Sequence, residues 1–278
     1  MPRICVIGNS HIGACKNAWD QIGKKFPRFE LTFFGAITAD FADLAVVDGA
    51  LEPQSDKLRD FFSRSSRGKT QIAGDFDGYI LWGLSYHLTI AAWVFGDCKA
   101  RNCDERGFVE AMKARMSKTP SIEILGKLRA ITEAPVALVH DPFVSEMKPR
   151  EEANLPTDDE DARRLADIFQ ASAVELGTEL GFKPFFQAER TLANPVQTKQ
   201  RFSAGLTAAG TPDIYHANAK FSSFLLRRIL RSELFRQSLQ PKAPAVAAVL
   251  PAARPRHRQD LRHPVAHAPA PARSRSAA

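Results

Sequence analysis

Two short stretches of the 278-residue chain carry side chains suited to covalent chemistry, and they lie at opposite ends of it. Near the start, "RICVIGNSH" (3–11) delivers Ser10 and His11 at the tip of an apolar run. Near the end, "GTPDIYHANAKF" (210–221) holds Asp213 and His216 three positions apart. A serine hydroxyl is a weak nucleophile until a neighbouring base takes its proton, and that base works best when a carboxylate fixes its orientation. Ser10, His216 and Asp213 are the side-chain types for those three roles. Each also has an ordinary reading: Ser10 as the N-cap of a helix, Asp213 as an acid at a helix start, His216 as a hydrogen-bonded loop histidine. The chemical reading requires a fold that closes the distance between the two stretches.

The elements that would do so are legible in the hydrophobic pattern. Residues 3–7, with Ile4, Val6 and Ile7 β-branched, read as a buried strand that Gly8 ends. Ile12, Cys15, Trp19, Ile22 and Phe26 then fall on one helical face. Ser10 therefore sits in a strand-to-helix turn, where free N–H groups and the positive end of a helix dipole favour an anion, a developing oxyanion included. Further buried strands are expected at 29–35, 77–83, 135–143 and 182–186, with a short extra strand at 44–49. Helices are expected from Ser55 onward, on both sides of Thr119-Pro120, after the acidic loop near 148–161, and at 221–235. Residues 87–96 are apolar nearly all round and read as a buried helix or a pocket wall. Asp213 and His216 would lie on a loop or first helical turn just ahead of the last helix.

Strands alternating with helices imply an α/β fold: a three-layer α/β/α sandwich, flavodoxin-like, with a mostly parallel central sheet. Its ligand site lies outside the carboxyl ends of the strands. Gly8, Gly35 and Gly83 each end a strand and so should share that edge with Ser10, as should His11, His87 and His140.

Composition narrows the classes. The chain is 44% hydrophobic and 25% charged, the balance of a globular protein, and no run approaches the roughly 20 apolar residues of a membrane span. Its N-terminus shows no secretory signal, and its four cysteines suit reduced thiols, so a cytoplasmic location is expected. Cys98 and Cys103 are spaced for neither a zinc hairpin nor a redox C-x-x-C pair, and no metal site is expected. The net charge of +7 suggests nucleic acid until it is located. Residues 241–278 hold seven Lys/Arg against Asp260 alone, so six of the seven net charges lie in a Pro/Ala/Arg-rich tail that reads as disordered. Residues 1–240, the expected folded domain, are nearly neutral and do not call for a polyanion.

At this point the residues resemble the SGNH hydrolases, the GDSL-type esterases. In that family the first block carries the nucleophile after strand one, and here it reads Gly8-Asn9-Ser10-His11. The last block, Asp-x-x-His, matches Asp213-Ile214-Tyr215-His216, with Asn218 following. The resemblance implies acyl transfer through an acyl-enzyme, with Ser10 as nucleophile, His216 as base and Asp213 as its orienter. It implies an oxyanion hole of the Ser10 and Gly35 N–H groups. The family's third block has an asparagine where this chain has Ser85, in Gly83-Leu84-Ser85, so the Ser85 hydroxyl, or His87, would replace that donor. Asn9, His11, Gly83 and His87 would line the site. No cofactor is implied, and the substrate would be a small acyl ester or an acylated carbohydrate.

Two other classes are weighed. Without the third-block asparagine, the same fold would serve as a weakly active or inactive binding module, for example for acylated glycans. Nucleotide binding fails on the residues: Gly13 is followed by Ala14-Cys15, not Lys-Ser/Thr, and a dinucleotide fingerprint would need glycine at Ser10.

Overall fold

The computed structural model describes residues 1–207 and 209–236. The tail expected to be disordered, 241–278, lies outside the described residues. In chain order the elements are β1 (Arg3–Gly8), α1 (Ile12–Ile22), β2 (Glu30–Gly35), β3 (Leu44–Val47), β4 (Ala50–Pro53), α2 (Asp56–Ser66), β5 (Ile72–Ala73) and β6 (Gly78–Trp82). There follow α3 (Leu88–Ala100), α4 (Glu105–Met116), α5 (Pro120–Arg129), β7 (Val136–Val139), α6 (Asp159–Leu180) and β8 (Lys183–Phe185). The chain closes with β9 (Leu192–Asn194), β10 (Gln197–Thr198), β11 (Ser203–Leu206), β12 (Pro212–Ala217), α7 (Ala219–Leu230) and α8 (Glu233–Arg236).

Five strands make an all-parallel sheet in the order β2-β1-β6-β7-β8. Its central strands β1, β6 and β7 are apolar nearly throughout because both faces are covered. Ile4 and Val6 of β1 point to the layer formed by α1, α7 and α8, where they meet Cys15, Ala18, Leu225, Ile229 and Phe235. Cys5 and Ile7 point the other way, into the larger core under α2 to α6. Alternation of side chains along a strand thus feeds two separate cores from one sequence run. The result is the expected three-layer α/β/α sandwich.

The sheet order decides where the site sits. From β1 the chain moves outward to β2, then returns to the other side of β1 to place β6, so the order reverses between β1 and β6. Ligands of open α/β sheets bind in the crevice at such a reversal, outside the carboxyl ends of the strands. Ser10 follows β1 and Ser85 follows β6, so both stand at that crevice.

Two regions depart from the expected layout. The segment read as one extra strand is the first of three in a small antiparallel sheet, β3-β4-β5. Asp48 and Gly49, with φ of 46° and 77°, make the tight turn that a two-residue hairpin requires. Asp213 and His216, expected on a loop or a first helical turn, lie instead on a strand, β12, paired antiparallel with β11. No helix among the described residues is long and apolar enough to cross a membrane.

Candidate active site

The turn after β1 is closed by the Ile12 N–H donating to the Asn9 carbonyl at 2.9 Å. His11, not Ser10, occupies the N-cap of α1, and it makes no side-chain cap bond. The Ser10 hydroxyl is therefore left free by the helix it precedes. It lies 2.8 Å from His216 Nε2. The capping reading of Ser10 does not apply.

His216 reaches Ser10 because β12 is irregular. Gly205 pairs with Asp213 and Ser203 with Ala217, so one residue of β11 faces three of β12. Residues three apart on a flat strand point to opposite faces about 10 Å apart. The bulge cancels that separation. Asp213 Oδ1 accepts from the Tyr215 and His216 N–H groups at 3.2 and 2.9 Å, and Asp213 Oδ2 lies 2.9 Å from His216 Nδ1. Burial alone would raise the Asp213 carboxyl, but the two N–H groups and the adjacent imidazole outweigh it and hold the carboxyl below its ordinary value. The bulge is tied down on both sides. Its Ile214 carbonyl accepts from Ser145 N–H at 2.8 Å, and Asn218 caps α7 while donating to the Arg201 and Ser203 carbonyls.

A second histidine–carboxylate pair underlies the first. His11 Nε2 lies 3.1 Å from Asp141 Oδ1, and its ring centre is 4.7 Å from that of His216. Asn9 donates to the same Asp141 oxygen at 3.0 Å and accepts from the His11 N–H at 3.2 Å. Asn9 thus holds His11, whose ring packs against that of His216. Burial pushes the Asp141 carboxyl up, but hydrogen bonds from His11 and Asn9 reverse the shift and keep it below its ordinary value. Asp141 went unremarked in the sequence. The available signal was its place, two residues beyond the end of β7 on the same sheet edge as Ser10.

The segment after β6 is strained. Gly83, Leu84 and Ser85 have φ of 78°, 64° and 62°, three left-handed residues in a row. Gly83 is obligatory, since a Cβ there would stand 2.4 Å from Asp141 Oδ1. This path sets Ser85 and His87 against a cavity of about 210 Å³ whose polar end also includes Asn9, His11 and Asp141. The rest of its lining is largely apolar, with Leu88, Phe143, Val144 and Leu155. The Ser85 hydroxyl has no hydrogen-bond partner among the described residues, whereas His87 Nδ1 is paired with Thr89 Oγ1 at 2.5 Å. Burial lowers the His87 pKa and favours its neutral form.

Two expected members of this edge are placed otherwise. Ala36 N–H donates to the Gly8 carbonyl of β1, so the Gly35 N–H must face the opposite way, to the outer edge of the sheet. There it donates to Ser65 Oγ at 2.9 Å. Gly35 N–H is thus not offered to the crevice, which corrects its expected place in an oxyanion hole. His140 turns into the core, where it stacks near Phe143 and accepts from the Gln187 N–H at 3.0 Å. Burial lowers its pKa to about 4. Among the described residues, no group of three His, Cys, Asp or Glu side chains is arranged to hold a metal ion.

A scan against protein-family models and a search of curated proteins found no match. Among solved structures, the chain is similar to the extracellular lipase of Streptomyces rimosus, with 12% identity, a TM-score of 0.45, and coverage of 83% of this chain and 98% of that one. It is also similar to phospholipase A1 of Streptomyces albidoflavus, with 13% identity, a TM-score of 0.41, and coverage of 82% and 98%. A third is the periplasmic domain of a lipopolysaccharide acetyltransferase from Salmonella ser. Paratyphi A, with 13% identity, a TM-score of 0.38, and coverage of 82% and 81%. In the structure itself, the parallel sheet sets a serine on the turn after its first strand, and an Asp-x-x-His just ahead of α7 is brought against that serine.

Proposed function

We propose that the chain is a serine ester hydrolase. The observation that carries this reading is the unbroken line from Ser10 Oγ to His216 Nε2 at 2.8 Å and from His216 Nδ1 to Asp213 Oδ2 at 2.9 Å. With Asp213 ionised, Nδ1 carries the ring proton and Nε2 is left as an acceptor for the serine proton. Ser10 Oγ attacks the ester carbonyl carbon as its proton passes to His216 Nε2. The tetrahedral intermediate collapses, the bond to the alcohol oxygen breaks, and His216 returns the proton to that oxygen. Water then repeats the sequence on the acyl-enzyme, releasing the carboxylic acid and the free serine.

The negative charge of the intermediate needs donors aimed at it. The Ser10 N–H at the start of α1 and the Ser85 hydroxyl supply them in this reading, with Gly35 excluded. The loss of one such donor elsewhere costs about 10²–10³ in turnover, so slow hydrolysis fits a hole of this make-up. The cavity lined by Asn9 and His11, the residues on either side of Ser10, is small and mixed in polarity and suits a short acyl group better than a long chain.

A fluorophosphonate probe tests the proposal. It should label the wild type, Ser10→Ala should abolish labelling, and His216→Ala should slow it strongly. A folded wild type that takes no label, yet binds an acylated glycan without turning it over, would replace the hydrolase reading with the binding-module one.

A further inference from the structure

The Asp141–His11 pair has no part in the proton path from Ser10 to Asp213, yet the turn after β1 is built around it. Asn9 and His11 flank the serine in sequence, and both reach Asp141. That carboxylate is buried and takes two donors on one oxygen, His11 Nε2 at 3.1 Å and Asn9 Nδ2 at 3.0 Å. Its other oxygen, Oδ2, and His11 Nδ1 are buried with no hydrogen-bond partner among the described residues. A buried ring nitrogen without an acceptor is the wrong place for a proton, so the single ring proton of His11 stands on Nε2, facing the carboxylate. Both donors to Asp141 are then neutral. No lysine or arginine among the described residues pairs with it, and burial favours the neutral form of the nearby His87. A buried carboxylate that no fixed cation meets is costly, and a positive charge close by would offset that cost.

In the hydrolase reading, one such charge comes and goes. His216 becomes an imidazolium each time it takes the proton of Ser10. Its ring centre lies 4.7 Å from that of His11, with the planes 43° apart. On one side the new charge meets Asp213, whose Oδ2 is 2.9 Å from Nδ1. On the other it meets an imidazole whose N–H is bonded to a second carboxylate. A cation within about 6 Å of an aromatic face is attracted to it, and a ring polarised by a carboxylate is the more electron-rich. A charged His11 would instead set two positive rings against each other, which the partnerless Nδ1 disfavours.

We propose that Asp141 and His11 are positioning residues that stabilise the charged form of His216 during acyl transfer, a role that rests on the hydrolase reading given above. The imidazolium is held between two carboxylates, one in direct contact and one acting through a ring. No proton passes between the two histidines; Asp141 acts by its charge.

The experiment follows the acid limb of fluorophosphonate labelling on the full chain, beside NMR titration of the His216 ring. The other titratable groups around the two rings are Asp213, His87, Tyr215 and Lys148, whose ammonium lies 3.1 Å from the Tyr215 hydroxyl; every variant retains them. Asp141→Asn keeps the shape and removes the charge. The imidazolium then loses one of its two carboxylates, so the base gives up its proton more readily. The limb and the His216 titration should both move lower by about one pH unit, and the plateau rate should fall about tenfold. His11→Phe leaves a ring against His216. Burial raises the Asp141 carboxyl, and this variant removes the donor that counters it, so Asp141 is neutralised by a second route. The shift should match that of Asp141→Asn, and the double variant should stay within about twofold of either single one. Lower rates with an unmoved limb in the folded variants would leave the pair a structural role and overturn the proposal. In the wild type, ring 15N shifts at pH 8 should show the His11 proton on Nε2; a proton on Nδ1 would overturn it without any variant. If the wild type neither takes the label nor hydrolyses p-nitrophenyl acetate, the hydrolase reading fails. The NMR titration then decides the pair by itself: a lower His216 midpoint in Asp141→Asn upholds the coupling, and an equal one removes it.

Discussion

Asp213→Asn separates the orienting role proposed for this carboxylate from its structural one. In the wild type Asp213 Oδ1 takes both the Tyr215 and the His216 N–H, while Oδ2 faces His216 Nδ1 at 2.9 Å. An asparagine has one oxygen, and the two N–H groups pin it at the Oδ1 place. Flipping the amide would forfeit both bonds and oppose donor to donor, at about 2–3 kcal/mol. The amide NH2 must then stand where Oδ2 stood, presenting a donor to Nδ1. The ring adopts the other tautomer, with its proton on Nε2, and can no longer accept from Ser10. A wrong tautomer in a serine triad costs about 10⁴ in turnover. Here Nδ1 also lies 3.1 Å from Oδ1, and the His216 side chain is 40% exposed. Both allow partial recovery, so a loss of about 10³, or ~4 kcal/mol of transition-state stabilisation, is expected. The assay is the second-order rate of fluorophosphonate labelling beside p-nitrophenyl acetate hydrolysis. Asp213→Ala presents no donor and leaves the tautomer free, so it should be faster than Asp213→Asn despite lower stability. An asparagine variant within tenfold of wild type, or a folded alanine variant slower than it, would refute the reasoning.

Two further outcomes follow from groups around the site. Ser65→Ala should cost about 1–2 kcal/mol of stability in urea, because the Gly35 N–H loses its acceptor, while the Ser10 labelling rate changes less than about twofold. A tenfold change in labelling would return Gly35 to the oxyanion hole. His140 titrates at about 4 in the folded protein against an ordinary value of 6.5. Between those values the unfolded chain binds a proton that the folded chain does not, so stability rises with pH across the window and acidification from 6.5 to 4 removes about 3 kcal/mol. Urea unfolding from pH 7 to 4.5 should show this slope in wild type and a shallower one in His140→Leu; equal slopes would count against a neutral buried imidazole.

What the sequence determined by itself is local and periodic. Ile4, Val6 and Ile7 followed by Gly8 and the helical stripe from Ile12 are enough to place Ser10 on a strand-to-helix turn, because β-branching, glycine and a 3.6-residue period act within a few residues. Alternation of strands and helices likewise implied the parallel sheet, and with it the edge on which Ser10 had to stand. The pairing of Asp213 with His216 was visible as a spacing, but its geometry was not. It depends on a bulge in β12, which exists only as a change of register against the partner strand β11. The Gly35 N–H was misassigned because one position of strand register reverses which way an N–H points, and register is a property of two strands. Asp141, buried beneath His11, and His140, turned inward one residue earlier, occupy opposite sides of the same strand end; only packing decided which met the crevice. Trp93 shows the same limit from outside. Its helix is apolar nearly all round, so the pattern does not say which side faces the core; tertiary packing buried Leu88, Ala91, Phe95 and Cys98 and left the indole 74% exposed.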